Sequence, residues 1–451
     1  MVRARAVLIA VIGLILTLWG VLTPADVSAD PPGQHSAGIE QWVNDQVDSL
    51  IEIYQDFHAH PEVSFEEAKT AQRLAGLLKS AGYEVTTEIG GHGLVAILQN
   101  GEGPTVMLRT DLDGLPVTEN TELVYASKQT VKLDDGSQSG VMHACGHDIH
   151  MTNVVGTARY MAAHRNQWHG TLMIIGQPAE EKGQGAKAML QDGLFERFPK
   201  PDYAIALHVD PNLPTGTIGY RSGYAMANVD SVDIYVQGQG GHGAHPDATV
   251  DPIVQAAQLI LDLQTIVSRE INPTEPAVVT VGAIHGGTKH NIIGNECHLQ
   301  LTVRSYGEKV RKQLLEAIQR KAKAVAISYR APEPKIVISE GTPSLFNDKH
   351  LTWRIVENFN RTFGDEKVVP VDPSMGGEDF SRYGIAGVPI FMYRLGSVDA
   401  KRLARYEQLG QEPPSLHSPL YYPDAEACLT TGVNATVSAL LELFEQIPDD
   451  Q

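Results

Sequence analysis

Three short runs constrain this chain more than anything else in it: "TVMLRTDLD", "GTLMIIGQPAEE" and "DYAIALHVD". Each holds an apolar stretch too short for a helix and without polar alternation, the mark of a strand buried on both faces of an α/β sheet. Each also closes on ionisable residues: Asp111 and Asp113, Glu180 and Glu181, and His208. In open α/β sheets ligands gather at the carboxyl ends of strands, so three strands deliver carboxylates or imidazole to one edge. Polar capping of a strand accounts for any one of these endings but not for all three together. Helical periodicity in "IEQWVNDQVDSLIEIYQDFHAH" and "SFEEAKTAQRLAGLLKSAG" precedes the runs, and "EVTTEIG" and "LVAILQNG" read as further strands.

The stretch "MHACGHDIHM", Met142 to Met151, opens the helix before the second of these strands. Cys145 and His147 stand two residues apart, which in a turn lets a thiolate and an imidazole converge on one ion. Glu181 and His208 offer an oxygen and a nitrogen, and His417 in "LHSPLYYPDAE" is a fifth candidate just ahead of the last helix. A lone cysteine is more often an inert core residue, but its histidine-rich flanks reverse that reading. A metal ion holds such a cysteine as thiolate. His143, His150, His164 and His169 read as helix or loop histidines.

The amino terminus sharpens the point about the thiol. Residues 1–29 carry Arg3 and Arg5, an apolar run from Ala6 to about Leu22, and the small-residue pattern Val27-Ser28-Ala29. That is a secretory leader cut after Ala29, with an uncleaved anchor as the alternative. The expectation is a secreted or periplasmic protein with no stable membrane association once the leader is gone, and no later segment reads as long and apolar enough to span. Only three cysteines (Cys145, Cys297, Cys428) are present, an odd count and too few for a disulfide scaffold. The net charge of −19, with 54 acidic against 35 basic residues and no basic block, speaks against a nucleic-acid partner.

Residues 227–340 follow a different pattern. Strand "VDSVDIYVQG", helix "DPIVQAAQLILDLQTIVS", strands "AVVTVGAIHGG" and "CHLQLTVRS", helix "GEKVRKQLLEAIQRKAKAVAISY" and strand "KIVISEG" give the order β-α-β-β-α-β of a ferredoxin-like α+β unit. This satellite lies between His208 and His417, so the α/β domain, a mixed sheet flanked by helices, is discontinuous over 38–226 and 341–451. The satellite has its own polar cluster: His242 in the turn "GQGGHGAHPDATVDP", His290 and Asn291 in the loop "HGGTKHNIIGNE", and Arg304. Alternation in "HLQLTVRS" buries Leu299, Leu301 and Val303 and turns Arg304 to the other face. There it is either a solvated arginine or a binder of substrate carboxylate.

In order and spacing, "RTDLDGLP", "HACGHD", "GQPAEE", "GGHGAHP", "GGTKHNII" and "GGEDF" resemble the amidohydrolase branch of the co-catalytic metallopeptidases. That branch holds hippurate hydrolase, N-acyl-amino-acid amidohydrolases and the plant auxin-conjugate hydrolases. The resemblance implies a di-metal hydrolase domain with the satellite as dimerisation or lid domain. It implies two divalent ions per chain, with Cys145 bridging, His147 and His208 completing one site, and Glu181 and His417 the other. Zinc or manganese come first by this chemistry, with cobalt or nickel as alternatives. Glu180 would be general base on a metal-bridging water, and Asp113 a carboxylate steadying the site. Asp111 stands where more distant relatives have a histidine ligand.

His242 would serve the neighbouring subunit of a homodimer formed through residues 227–340. Asn291 and Arg304 would serve the substrate carboxylate, and Gly376 and Gly377 would line the site. One departure is visible: where the family commonly shows Pro-His after the Gly-His-Gly-Ala-x turn, this chain has Pro246-Asp247, with a histidine instead at His245, immediately before the proline. The implied reaction is hydrolysis of an N-acyl amino acid to a carboxylic acid and a free amino acid. A metallo-exopeptidase, either carboxypeptidase or dipeptidase, is the nearest alternative. A metal-binding protein without turnover would explain the ligands but not Glu180.

Overall fold

The computed structural model describes residues 34–445; the leader expected over residues 1–29 lies outside the described residues. The larger sheet has eight strands in the order Glu84–Ile89, Gly93–Asn100, Gly170–Gln177, Thr105–Asp111, Tyr203–Pro214, Ile390–Val398, Ile218–Tyr220, Val368–Pro370. The four strands from Gly170–Gln177 to Ile390–Val398 run parallel; Gly93–Asn100 attaches antiparallel to Gly170–Gln177, and Glu84–Ile89 in turn pairs antiparallel with Gly93–Asn100. Thr105–Asp111 lies in the middle and is buried from its second residue onward, as its unbroken apolar run requires.

One face of the sheet is covered by the helices Gln34–Ala59, His147–Ala163, Lys349–Phe363 and Ala425–Phe444, whose apolar residues join the strands in the largest core cluster. The last of these overturns one expectation. Ala425–Phe444 is long and apolar enough to cross a membrane, yet 72% of its apolar window is buried in the fold. It packs against the other three helices and the sheet, and a helix enclosed on most sides must be apolar all round.

His208 also differs from its reading as a strand end. It is the sixth residue of the twelve-residue strand Tyr203–Pro214. The strand runs on because Ile390–Val398 pairs with it as far as Pro214, which satisfies backbone groups that would otherwise be exposed at its end.

The segment 227–340 carries a four-stranded antiparallel sheet in the order Ala277–Gly286, Glu296–Ser305, Asn228–Gln237, Lys335–Glu340. Helices Pro252–Arg269 and Glu308–Ser328 pack against it around a separate apolar core that includes Val232, Ile234, Leu263, Leu299, Leu301, Val303 and Leu314. Asp251 caps the first helix, its carboxylate accepting from the backbone of Ile253 and Val254, a device worth about 1 kcal/mol. A small ladder unread from the sequence, Gly241–His242 with Ile292–Ile293, ties the His242 turn to the Asn291 loop.

Candidate active site

Cys145 sits in the turn that starts helix His147–Ala163. Gly146 adopts a left-handed φ of 76°, and a Cβ there would lie 2.5 Å from Val209 Cγ2, so only glycine lets the turn press against the strand carrying His208. Cys145 Sγ is 3.6 Å from His208 Nε2. Donor atoms of Cys145, His147 and His208 lie within 4.8 Å of one another, and those of Cys145, Glu181 and His417 form a second set of the same tightness. Cys145 therefore belongs to both.

Each imidazole is aimed by its other nitrogen. His147 Nδ1 donates to the Asp113 carbonyl at 2.8 Å, and His208 Nδ1 donates to the Val209 carbonyl at 2.8 Å. Both Nε2 atoms are left free to accept a ligand. His417 has a left-handed φ of 68°, its backbone N–H is held by the Ala144 carbonyl, and its Nε2 is 3.5 Å from Glu181 Oε2. Within this constellation His147 Nε2 and Glu181 Oε1 are buried without a hydrogen-bond partner. Buried polar atoms left without a partner in this way are costly unless something occupies them. One thiol, three imidazoles and a carboxylate with the thiol shared fit a pair of divalent cations.

Asp113 organises the turn that presents the two glutamates. Its carboxylate accepts from the backbone N–H of Glu180 at 3.2 Å and of Glu181 at 3.0 Å, and from Ser64 Oγ at 2.6 Å. Glu67 grips the residue before them, accepting from Ala179 N at 2.7 Å, where the backbone takes an unusual positive φ of 50°. Burial pushes the Glu180 carboxyl well above its ordinary value, and Glu378 and Glu181 push it further. Burial likewise raises Glu181, to about 7, and lifts the Cys145 thiol, which the adjoining glutamates raise further. Burial would lower His147, but Asp111 and Asp113 outweigh it and bring that ring to about 10. A cation at the centre of the cluster favours the deprotonated form of each of these groups.

Beneath Glu180 lies a layer that the sequence reading missed. Arg109, fully buried, donates to Asp111 at 2.6 Å, Glu378 at 2.9 Å and Gln177 at 3.1 Å. Asp379 accepts from Gln177 at 2.6 Å and from Ala186 N at 2.9 Å. The acidic pair of "GGEDF" thus turns away from solvent, while Gly376 and Gly377 line the cavity. An arginine inside the apolar run "TVMLRTD" was the available signal, because such a residue must find carboxylates within the core. Asp111 Oδ1 also binds His150 Nδ1 at 2.7 Å, and His150 Nε2 accepts from Val209 N at 3.1 Å. Both nitrogens of His150 are therefore engaged.

The cavity over the two donor sets measures about 770 Å³ and is lined by Cys145, Glu180, Glu181, His208, Arg304 and His417 among others. Arg304 reaches it from the satellite, donating to the Met375 carbonyl at 2.7 Å. His242 and Asn291 are not among its lining residues. They share the exposed tip made by the small ladder, where Gly243 N donates to the Asn291 carbonyl at 2.9 Å.

The sequence model of peptidase family M20/M25/M40 matches residues 107–408. An N-acetyldiaminopimelate deacetylase of Bacillus subtilis is 36% identical over 358 residues, covering 78% of this chain and 91% of its own length. The thermostable carboxypeptidase 1 of Saccharolobus solfataricus is 34% identical over 368 residues, covering 81% and 88%. Among solved structures, the YXEP protein of Bacillus subtilis, a dinuclear metal-binding peptidase, superposes with a TM-score of 0.74 at 29% identity, over 90% of this chain and all of that one. The chain belongs to peptidase family M20/M25/M40, in its amidohydrolase branch. It is a metal-dependent hydrolase of amide or peptide bonds.

Proposed function

We propose that the protein hydrolyses N-acyl amino acids to a carboxylic acid and a free amino acid, with Glu180 as general base. The observation carrying this reading is that one cavity holds Glu180, 4.0 Å from His147 Nε2, beside two sets of metal donors and also admits Arg304, a cation suited to a free carboxylate. Cys145, His147 and His208 would hold one cation and Cys145, Glu181 and His417 the other. Zinc or manganese suits this mixed donor set best. Bound cations supply Lewis acidity toward the carbonyl and toward water.

Glu180 takes the proton of the attacking water and returns it to the departing amine nitrogen, breaking the C–N bond. Its burial makes it a competent proton holder between the two steps, and Asp113 fixes the turn that aims it. Arg304 orients the amino-acid carboxylate, and the Gly376-Gly377 segment leaves room beside it. The deacetylase relative supports this reading, whereas the carboxypeptidase relative favours peptide substrates, since Arg304 would hold a carboxyl-terminal carboxylate equally well.

The working unit in this proposal is a homodimer. Ile253, Val254, Leu261, Ile284 and Ile292 of the satellite are each at least 40% exposed, and the edge strand Ala277–Gly286 has no partner on its outer side among the described residues. A two-fold pairing would cover both and bring His242 and Asn291 to the other chain's cavity, where His242 would hydrogen-bond the developing oxyanion. The leader pattern supports export, and Cys145, Cys297 and Cys428 are all free and buried, out of reach of pairing in an oxidising compartment.

A screen of N-acetyl and N-benzoyl amino acids against matched dipeptides, on protein of measured metal content, tests the reading. Faster turnover of the N-acyl compounds is expected, with loss on chelation and recovery on adding metal. Preference for dipeptides would install the exopeptidase instead, and full activity in metal-free protein would remove both.

A further inference from the structure

Two arginines interrupt apolar strands of the large sheet, and they have opposite surroundings. Arg109 is fully buried and is satisfied by Asp111, Glu378 and Asp379. Arg394, in Ile390–Val398, is half-buried and lines the active-site cavity. Among the described residues no carboxylate comes within ion-pair distance of it, although Glu180, Glu181, Asp210 and Asp372 line the same cavity. It is register partner to His208 on the adjoining parallel strand, so its side chain leaves the sheet on the same face, about 5 Å along. On its other side stands Gly219, where a Cβ would crowd Arg394 Cβ at 3.1 Å and Val371 Cγ1 at 2.7 Å. Leu213 Cδ1 would also be met, at 2.8 Å, so glycine at 219 lets the side chains of Arg394, Val371 and Leu213 pack together beside it.

A guanidinium is charged at every working pH and presents a planar fork matched to carboxylates. Half-buried beside a cavity built to hold cations, it adds repulsion unless an anion arrives with the ligand. We propose that Arg394 binds a second carboxylate of the substrate, so that the preferred compounds are N-acyl amino acids with two carboxylates, one for Arg304 and one for Arg394. This rests on the amidohydrolase reading. The second carboxylate comes either from an acidic amino-acid side chain or from the far end of a dicarboxylic acyl group.

Two matched pairs of substrates separate the sources: N-acetylglutamate with N-acetylglutamine, and N-succinylmethionine with N-butyrylmethionine. In the wild-type holoenzyme the acidic member of at least one pair should have a kcat/KM at least tenfold above its neutral partner. Arg394→Met should erase that ratio, mainly through KM, and Arg394→Lys should keep part of it, consistent with the ~10–100-fold worth of a charge-assisted hydrogen bond. No acidic preference in either pair, or an unchanged ratio in Arg394→Met, overturns the inference. A binding measurement separates this from failure of the functional reading. Should the wild type hydrolyse no N-acyl amino acid, glutarate must still bind the holoenzyme at least tenfold tighter than butyrate and lose that margin in Arg394→Met. Equal binding of the two acids sinks Arg394 as an anion site whatever the reaction. Should Arg394→Met not fold, Arg394→Gln serves the same comparison.

Discussion

The floor of the cavity and the tip of the satellite use the same residue types under opposite conditions. On the floor, His147 and His208 are almost wholly buried, and each has one nitrogen fixed by a carbonyl. At the tip, His242 is exposed, and its Nδ1 only accepts from the nearby Ala244 N–H. Asn291 beside it is exposed as well. The floor is preorganised within one chain; the tip is held in shape by a two-rung ladder but faces nothing in its own chain's cavity. Groups that must meet a substrate without reorganising need such support. The tip has half of it, and a second subunit would supply the rest.

The largest effect that tests this contrast comes from the floor. Glu180→Gln keeps all five donor side chains and the Asp113 bonds to the backbone, so metal content should stay near wild type while kcat falls by ~10³-fold or more. Cys145→Ser removes the donor common to both sets, and metal content itself should fall. Metal analysis beside steady-state kinetics separates the two. Near-normal kcat in Glu180→Gln would strip that residue of its role as base.

A smaller effect, with a sharper geometric meaning, comes from the tip. His242→Ala should lower kcat by ~10²–10³-fold, the range for a lost oxyanion donor, with metal content unchanged. Mixing His242→Ala chains with Glu180→Gln chains should then restore up to about a quarter of wild-type activity, because half of the chains enter heterodimers and one site in each is whole. Mixtures shown by native mass spectrometry to contain heterodimers, yet as inactive as their parents, would break the comparison. The tip would then be an ordinary exposed turn.

How far each region was legible in the sequence follows from the same contrast. Cys145, His147, Glu181, His208 and His417 could be picked out because ligand types at strand ends and in one turn are conspicuous against apolar runs. The four satellite strands and two helices were legible through alternation and helical periodicity over long segments. The supporting layer was not. Arg109, Glu378, Asp379 and Glu67 act through contacts between residues far apart in the chain, up to 270 positions for Arg109 with Asp379, and no local period encodes such a pairing. Arg394 escaped for a similar reason: its meaning lies in the register with His208. The continuation of Tyr203–Pro214 past His208 depends on its neighbour, which sequence order does not reveal.

The smallest effect concerns what lies behind the floor. His58 is buried between two carboxylates, with Nδ1 2.7 Å from Asp148 and Nε2 3.0 Å from Glu119. Asp148 follows His147 at the start of the same helix. Burial alone would lower the His58 pKa, but the bonds to Asp148 and Glu119 outweigh it and raise it to about 9. A histidine whose folded pKa is raised stabilises the fold fully below its unfolded value of ~6.5 and loses that contribution as pH rises toward 9, a span on the order of 3 kcal/mol. Asp148 and Glu119 are shifted down, so their share is present above their unfolded values near 4 and is lost only as pH falls below that. Wild-type stability should therefore decline from pH 6.5 to 9 relative to His58→Gln at the same metal concentration, and the difference between the two should level off above pH 9. Denaturant midpoints across that interval measure it. Parallel curves for the two proteins would mean that His58 is neutral in the fold and that the floor stands without a charged support.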